Sequence, residues 1–406
     1  MRRALIGLGT VIGLAGVLTA CQEKLTSPAE CPGLCPGGPQ TLSESVLAPL
    51  AGLDSSFHTY VAPGQGVALL ASSGLAISED RAVYRFVSLQ DSIAVRDTAR
   101  AYVVDSVLIT LNLVARDTLV SGLKLLLYRL TSAVDSTATF ASVDPQTVSA
   151  NLIDTIAVPD SVHTGAITTM LRGSEVSRVA IPKGTGGVLG MGIRLTAAAP
   201  TGVRLGSLAG GNGATYVAYL TVDVPDTTQS VKHQFLSRAT TFNTFVTQNR
   251  PAPDPTLLTV GGDSSSRSIV RFSLPPQLRD SATIVRATLE LIPAHPLLGL
   301  PGDRATIDAR AVLADLGAKS PVTTDARFIV TDTLPQGSSD TLRLEVTRLV
   351  RLWQSATDRP PAIFLILHPE AATFTRPTFG STHAGSPVGP PRLLITYQLP
   401  FPFEIP

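Results

Sequence analysis

The chain is poor in the side chains on which most metal, redox and nucleic-acid chemistry depends. Its 406 residues include three cysteines, one tryptophan and six histidines, and Lys24, Lys124, Lys183, Lys232 and Lys319 are its only lysines. Three cysteines cannot build a disulfide framework for a chain this long. Charged residues make up 16% and nearly cancel at net +1, so no basic footprint for nucleic acid is present. The histidines, His58, His163, His233, His295, His368 and His383, are scattered and form no H-E-x-x-H or adjacent pair that would point to a metal. No G-x-S-x-G elbow occurs. The glycine-rich stretches 184–187 and 210–213 do not continue into Gly-Lys-Ser/Thr, and no D-x-[DN]-x-[DN]-G calcium loop is present. Carboxylate pairs for glycoside cleavage meet only in space and leave no local mark. These absences predict a non-catalytic protein with no cofactor and no metal.

Alternation is what the sequence has in quantity. Val107, Ile109, Leu111 and Leu113 fall on one side of a stretch whose other side carries Leu108, Thr110 and Asn112. Side chains of a strand point alternately to its two faces, so one face is buried and the other wet. The pattern recurs in Val285, Ala287, Leu289 and Leu291, interleaved with Arg286, Thr288 and Glu290. Each stretch follows an Arg-x-x-x-Arg-Phe segment, Arg81 to Phe86 in one half and Arg267 to Phe272 in the other. Further landmarks repeat in the same order. Phe57-His-Thr-Tyr60 matches Phe242-Asn-Thr-Phe245, Leu205-Gly206-Ser207 matches Phe379-Gly380-Ser381, and Tyr219-Leu-Thr-Val222 matches Leu394-Ile-Thr-Tyr397. A duplicated unit is the economical explanation, and 406 residues suit two cores better than one. The expected fold is all-β, two tandem antiparallel β-sandwiches of the jelly-roll kind. Asp-Ser and Asp-Thr pairs at Asp91, Asp97, Asp105, Asp117, Asp135, Asp154 and Asp160 read as turns between strands.

The amino terminus carries an address. Arg2 and Arg3 precede an apolar run from Ala4 to Leu18, too short for a spanning helix of about 20 residues and shaped like a secretory signal. It ends in Leu18-Thr19-Ala20-Cys21, which resembles the lipobox of bacterial lipoproteins. That resemblance implies that residues 1–20 are removed, that Cys21 is acylated, and that the protein is exported and held on outer-membrane lipid. Gln22, standing where the inner-membrane retention signal would have aspartate, tilts the address outward. Residues 21–44 are rich in proline and glycine and read as a tether that could reach roughly 75 Å at about 3.3 Å per residue. Cys31 and Cys35 lie in it, and an oxidising compartment allows them to close a small disulfide loop or to stay as two thiols. The units are expected at 45–224 and 230–399, with a linker at 225–229 and a tail at 400–406.

The order of features in the second copy resembles the DNRLRE-type domains, also classed as family 96 carbohydrate-binding modules. The residues that carry the likeness are Arg271-Phe272, Ala287-Thr-Leu289-Glu-Leu291, Val346-Thr347-Arg-Leu-Val350-Arg-Leu-Trp353 and Pro391-Arg392-Leu393-Leu-Ile-Thr-Tyr397. The first copy has no tryptophan and lacks the closing Pro-Arg-Leu, and the literal motif that names the family appears in neither. The resemblance implies a β-sandwich that binds extracellular polysaccharide, acidic polymers included. Arg85 and Arg271 recur in both copies and are the candidate ligand residues, because a guanidinium can grip a uronate carboxylate through two parallel hydrogen bonds. The competing reading pairs each arginine with an acidic neighbour. Trp353 falls with Leu349 and Val350 at helical spacing behind Thr347, which reads as a buried stripe behind a cap. A structural or adhesive envelope role, with the modules as spacers or contacts for other proteins, is the alternative function, and an uncharacterised hydrolase is the third.

Overall fold

The computed structural model describes residues 42–58, 66–75, 79–132, 134–183, 186–225, 229–248, 254–262, 265–317, 323–356, 358–371 and 373–400. The signal segment, Cys21, Cys31 and Cys35 lie outside the described residues. The fold is all-β, and every ladder between described strands is antiparallel.

Two pairs of sheets enclose two hydrophobic clusters. In the first pair, one sheet runs His233–Ala239, Thr215–Val222, Tyr102–Arg116, Thr201–Gly206, Ala68–Ser73, with Gly165–Arg172 also paired to Tyr102–Arg116. The other runs Phe242–Gln248, Glu79–Val87, Val188–Thr196, Lys124–Leu130, Leu152–Ala157. Val107, Ile109, Leu111 and Leu113 point into the space between them with Tyr84, Phe86, Leu125, Leu127 and Tyr216. In the second pair, Leu42–Leu47, Arg392–Gln398, Thr283–Leu291 and Leu342–Glu345 form one sheet. The other is Ser55–His58, Ser266–Arg271, Ala362–His368, Arg304–Ala314, Thr323–Pro335. Ala287, Leu289 and Leu291 are inward and fully buried, whereas Val285 is 43% exposed beyond the irregularity in register between Ile284 and Arg286. Phe86 packs on Tyr216 with ring centroids 5.9 Å apart, and its counterpart Phe272 packs on Trp353 at 6.2 Å.

Hydrogen bonding divides the chain differently from the repeat boundaries. Leu42–Leu47 pairs with the last strand, from Leu42 opposite Gln398 to Leu47 opposite Leu393, and Ser55–His58 pairs with Ser266–Arg271. In return, His233–Ala239 pairs with Thr215–Val222 and Phe242–Gln248 pairs with Glu79–Val87. The two opening strands of each repeat thus complete the sheets of the other. The expected linker, 225–229, falls in the chain between strands Thr215–Val222 and His233–Ala239, and its residues 226–228 lie outside the described residues. The cause is local. Strands joined by a short connection close a small loop and pair cheaply, so the opening of the second repeat folds back on the end of the first. The opening of the first pairs instead with Arg392–Gln398 and Ser266–Arg271.

The sheet pairs also touch directly. Leu70 of the first meets Leu300 and Phe374 of the second in a buried cluster, and Arg204 forms an ion pair with the buried Asp303. Gly202 makes this approach possible, since a Cβ there would lie 2.6 Å from Cζ of Phe374. Phe374 is 1% exposed, packed with Leu70 and Leu300. Gly202→Ala is therefore expected to destabilise the protein by about 1–3 kcal/mol through overpacking, read as a lower thermal midpoint.

Two local expectations change. Thr347 does not cap helix Thr347–Ser355. It is the first helical residue, and its Oγ1 accepts from the Ala287 amide at 2.7 Å, tying the helix to the neighbouring strand. Leu349, Val350 and Trp353 are buried as their spacing predicts. Asp117 and Asp135 do organise turns, accepting from the amides of Leu119 and Thr137 at 2.8 Å. Asp105 and Asp154 lie inside strands instead.

Candidate binding site

The arginines singled out by the repeat stand on the outer face of the five-stranded sheets, one position out of phase with Phe86 and Phe272. Arg271 is fully engaged. Its Nε and Nη2 donate to the two carboxylate oxygens of Asp315 at 2.5 and 2.9 Å, and Nη1 donates to the carbonyl of Leu53. The fork that would take a uronate is already filled. The hydrogen bonds from Arg271 hold the Asp315 carboxyl below its ordinary range. Arg267 is used the same way, donating to both oxygens of Glu370 at 2.5 and 2.6 Å. The two arginines flank Ile269, which packs with Val312, Phe364 and Phe57.

The first copy shares only part of this arrangement. Arg81 is buried and bonded to Glu79 at 2.8 Å and to Asp144 at 3.0 Å, over the ring of Phe140. Arg85 makes no such pair. It donates to the Val134 carbonyl at 3.1 Å and lies over the Phe242 ring at 5.2 Å, and its Nε has no partner. The ring comes from an exchanged strand, so this contact exists only because the repeats are interleaved. The nearby charge of Arg85 contributes, after the hydrogen bonds from Thr137, to keeping the carboxyl of Asp135 low. Arg85 and Arg271 are thus equivalent in sequence and unlike in environment.

The other candidates are structural. Trp353 is 3% exposed in the second core. His383 donates from Nε2 to the Asp54 carbonyl at 2.8 Å, fixing the 381–386 loop to the exchanged amino-terminal segment. Arg392, from the closing Pro-Arg-Leu, shares Glu290 with Arg343 at 2.9 and 3.0 Å.

Two other arginines, neither singled out by the repeat, line an open cleft. Arg129 and Arg178 stand with Ser149, Asn151 and Leu152 around a volume of about 330 Å³ in the first sheet pair. Arg129 has the strand parity of the core residues Leu125 and Leu127 but comes at the end of Lys124–Leu130, where the apolar filling gives out. Backbone carbonyls hold it: Nη1 donates to Arg178 at 3.1 Å and to Ala180 at 3.2 Å. Arg178 is exposed and reaches the Ile153 carbonyl only at 3.4 Å. Among the described residues neither arginine forms an ion pair with a carboxylate, in contrast to Arg81, Arg267 and Arg271. Uncompensated guanidiniums at a cleft favour an anionic ligand, because charge-assisted hydrogen bonds to carboxylate are about twice as strong as neutral ones. Nothing in one sequence brings residues 129 and 178 together, since the strand end and the short helix Val176–Val179 meet only in the fold.

Among the described residues no group of three or more His, Cys, Asp or Glu side chains could hold a metal ion, and no helix is long and apolar enough to cross a membrane. Comparison with known proteins finds no family model that matches the chain and no curated protein similar to it.

Proposed function

We propose that this protein is a non-catalytic lipoprotein that binds an acidic extracellular polysaccharide, with Arg129 and Arg178 as the contact residues. The observation that carries the reading is the arginine cleft, in which two guanidiniums have no ion pair with a carboxylate among the described residues, while Arg81, Arg267 and Arg271 are paired and Arg85 is stacked. The lipobox-like Leu18-Thr19-Ala20-Cys21 supports export and an anchor on outer-membrane lipid, a surface attachment that needs no spanning helix. The resemblance of the second copy to DNRLRE-type domains supports the sugar class. The site, however, moves from Arg271 to the first sheet pair.

The test is mobility in affinity gels. A soluble form beginning at Leu42 keeps every described strand. It is expected to be retarded by a polyuronate and not by a neutral glucan, and Arg129→Ala with Arg178→Ala should abolish the retardation while leaving circular dichroism unchanged. Unaltered mobility of the parent protein across acidic polymers would count against the reading. A second reading, a rigid envelope spacer, is favoured by the strand exchange and the buried contact at Leu70, Leu300 and Phe374, which tie the two sheet pairs together. It predicts that the same gels show no retardation in any polymer. The anchor is tested separately, by incorporation of labelled palmitate that Cys21→Ala removes.

A further inference from the structure

The second sheet pair has a pocket of its own. Leu274, Arg279, Trp353, Arg359 and Pro361 line a volume of about 100 Å³ beside helix Thr347–Ser355. Its polar side chains are all donors. The indole nitrogen of Trp353 is buried and has no hydrogen-bond partner, and the same is true of Nε of Arg359. Arg279 is exposed and donates from Nη2 to the Leu274 carbonyl at 3.1 Å. The carboxylate paired with Arg359, that of Asp358, is 4.0 Å from Nε and largely exposed, too far for a hydrogen bond.

Buried donors without partners are rare because each one loses its hydration on folding, at about 1–3 kcal/mol. Indole and guanidinium groups can donate but not accept. Whatever completes them must therefore bring acceptors and, beside two cations, negative charge. The planar fork of a guanidinium matches a carboxylate, and Leu274 and Pro361 offer apolar walls to the carbon that bears it. We propose that this pocket binds a single carboxylate group. The inference is independent of the arginine cleft, which lies in the other sheet pair.

Trp353 is the only tryptophan in the chain, so tryptophan emission, excited where tyrosine does not absorb, reports on this pocket alone. Full-length protein titrated with sodium acetate or sodium glucuronate, against sodium chloride at equal ionic strength, is expected to show a saturable change in Trp353 emission. Arg359→Ala should raise the midpoint by about tenfold, the equivalent of roughly one lost charge-assisted hydrogen bond. Arg279→Ala, at an exposed position that spares the core, should also raise it. Equal midpoints for the two acids mean that a free carboxylate suffices; a much lower midpoint for glucuronate means that the group is recognised on a sugar. A response no different from chloride, as a pocket filled only by water would give, overturns the proposal. So does an unchanged midpoint in both arginine variants. Because the gel assay depends on Arg129 and Arg178, either site can fail without the other.

Discussion

Two fragments made by cutting the chain between residues 224 and 229 should each fail to reach the native fold alone, and should recover it together when mixed. The fragment ending at 224 keeps the core strands of the first sheet pair but loses both edges donated from beyond the cut. Glu79–Val87 would lose the seven-residue register with Phe242–Gln248, exposing Val83 on its outer face, where Val246 now packs. The same fragment carries Leu42–Leu47 and Ser55–His58, whose partners lie in the other piece. The second fragment is in the converse position. A domain of ordinary size is stable by only about 5–15 kcal/mol, and unpaired strand edges seek other chains. Each fragment alone should therefore be aggregated or largely unfolded by circular dichroism, and an equimolar mixture should elute as one complex with native spectra. Two independently folded, monomeric fragments would show instead that each repeat is complete in itself.

The sequence made the strands readable but not their partners. Alternation identifies Val107 to Leu113 and Ala287 to Leu291 because burial on one face is imposed residue by residue. It also marks Phe57 and Phe242 as equivalent. Which sheet each joins depends on the connection lengths around residues 223–232 and on the closure of Leu42–Leu47 with Arg392–Gln398, neither of which leaves a periodic trace. The helical stripe of Leu349, Val350 and Trp353 was readable for the same reason as the strands. Thr347 is not the cap that its residue type suggests because Val346 holds that position, and its hydroxyl accepts instead from the amide of Ala287, sixty residues away. The arginines show the limit most clearly. Repetition marks Arg85 and Arg271 as equivalent, yet their environments depend on Asp315 and Phe242, which come from elsewhere in the chain. The cleft at Arg129 and Arg178 has no sequence signature at all.

That difference between equivalent arginines sets the last expectation. Arg271→Ala should destabilise the protein by about 2–3 kcal/mol near neutral pH, the range for hydrogen bonds to a charged group, since it strands the carboxylate of Asp315 and frees the Leu53 carbonyl. Arg85→Ala should cost about 1 kcal/mol or less, because it gives up one hydrogen bond to a neutral carbonyl and one ring contact. The pH dependence separates the two further. Arg271 depresses the folded-state pKa of Asp315 below its unfolded value. The stabilisation from that shift is therefore fully present above the unfolded value, about 4, and is lost as pH falls through the lower folded value. The gap between parent and Arg271→Ala should be wide at pH 7 and narrow progressively below about pH 4, whereas the gap for Arg85→Ala should be smaller throughout, since the charge of Arg85 is only a minor cause of the low carboxyl of Asp135. Urea midpoints measured from pH 3 to pH 7 decide the matter. If Arg271→Ala leaves stability unchanged, its bond to Asp315 contributes nothing net to folding.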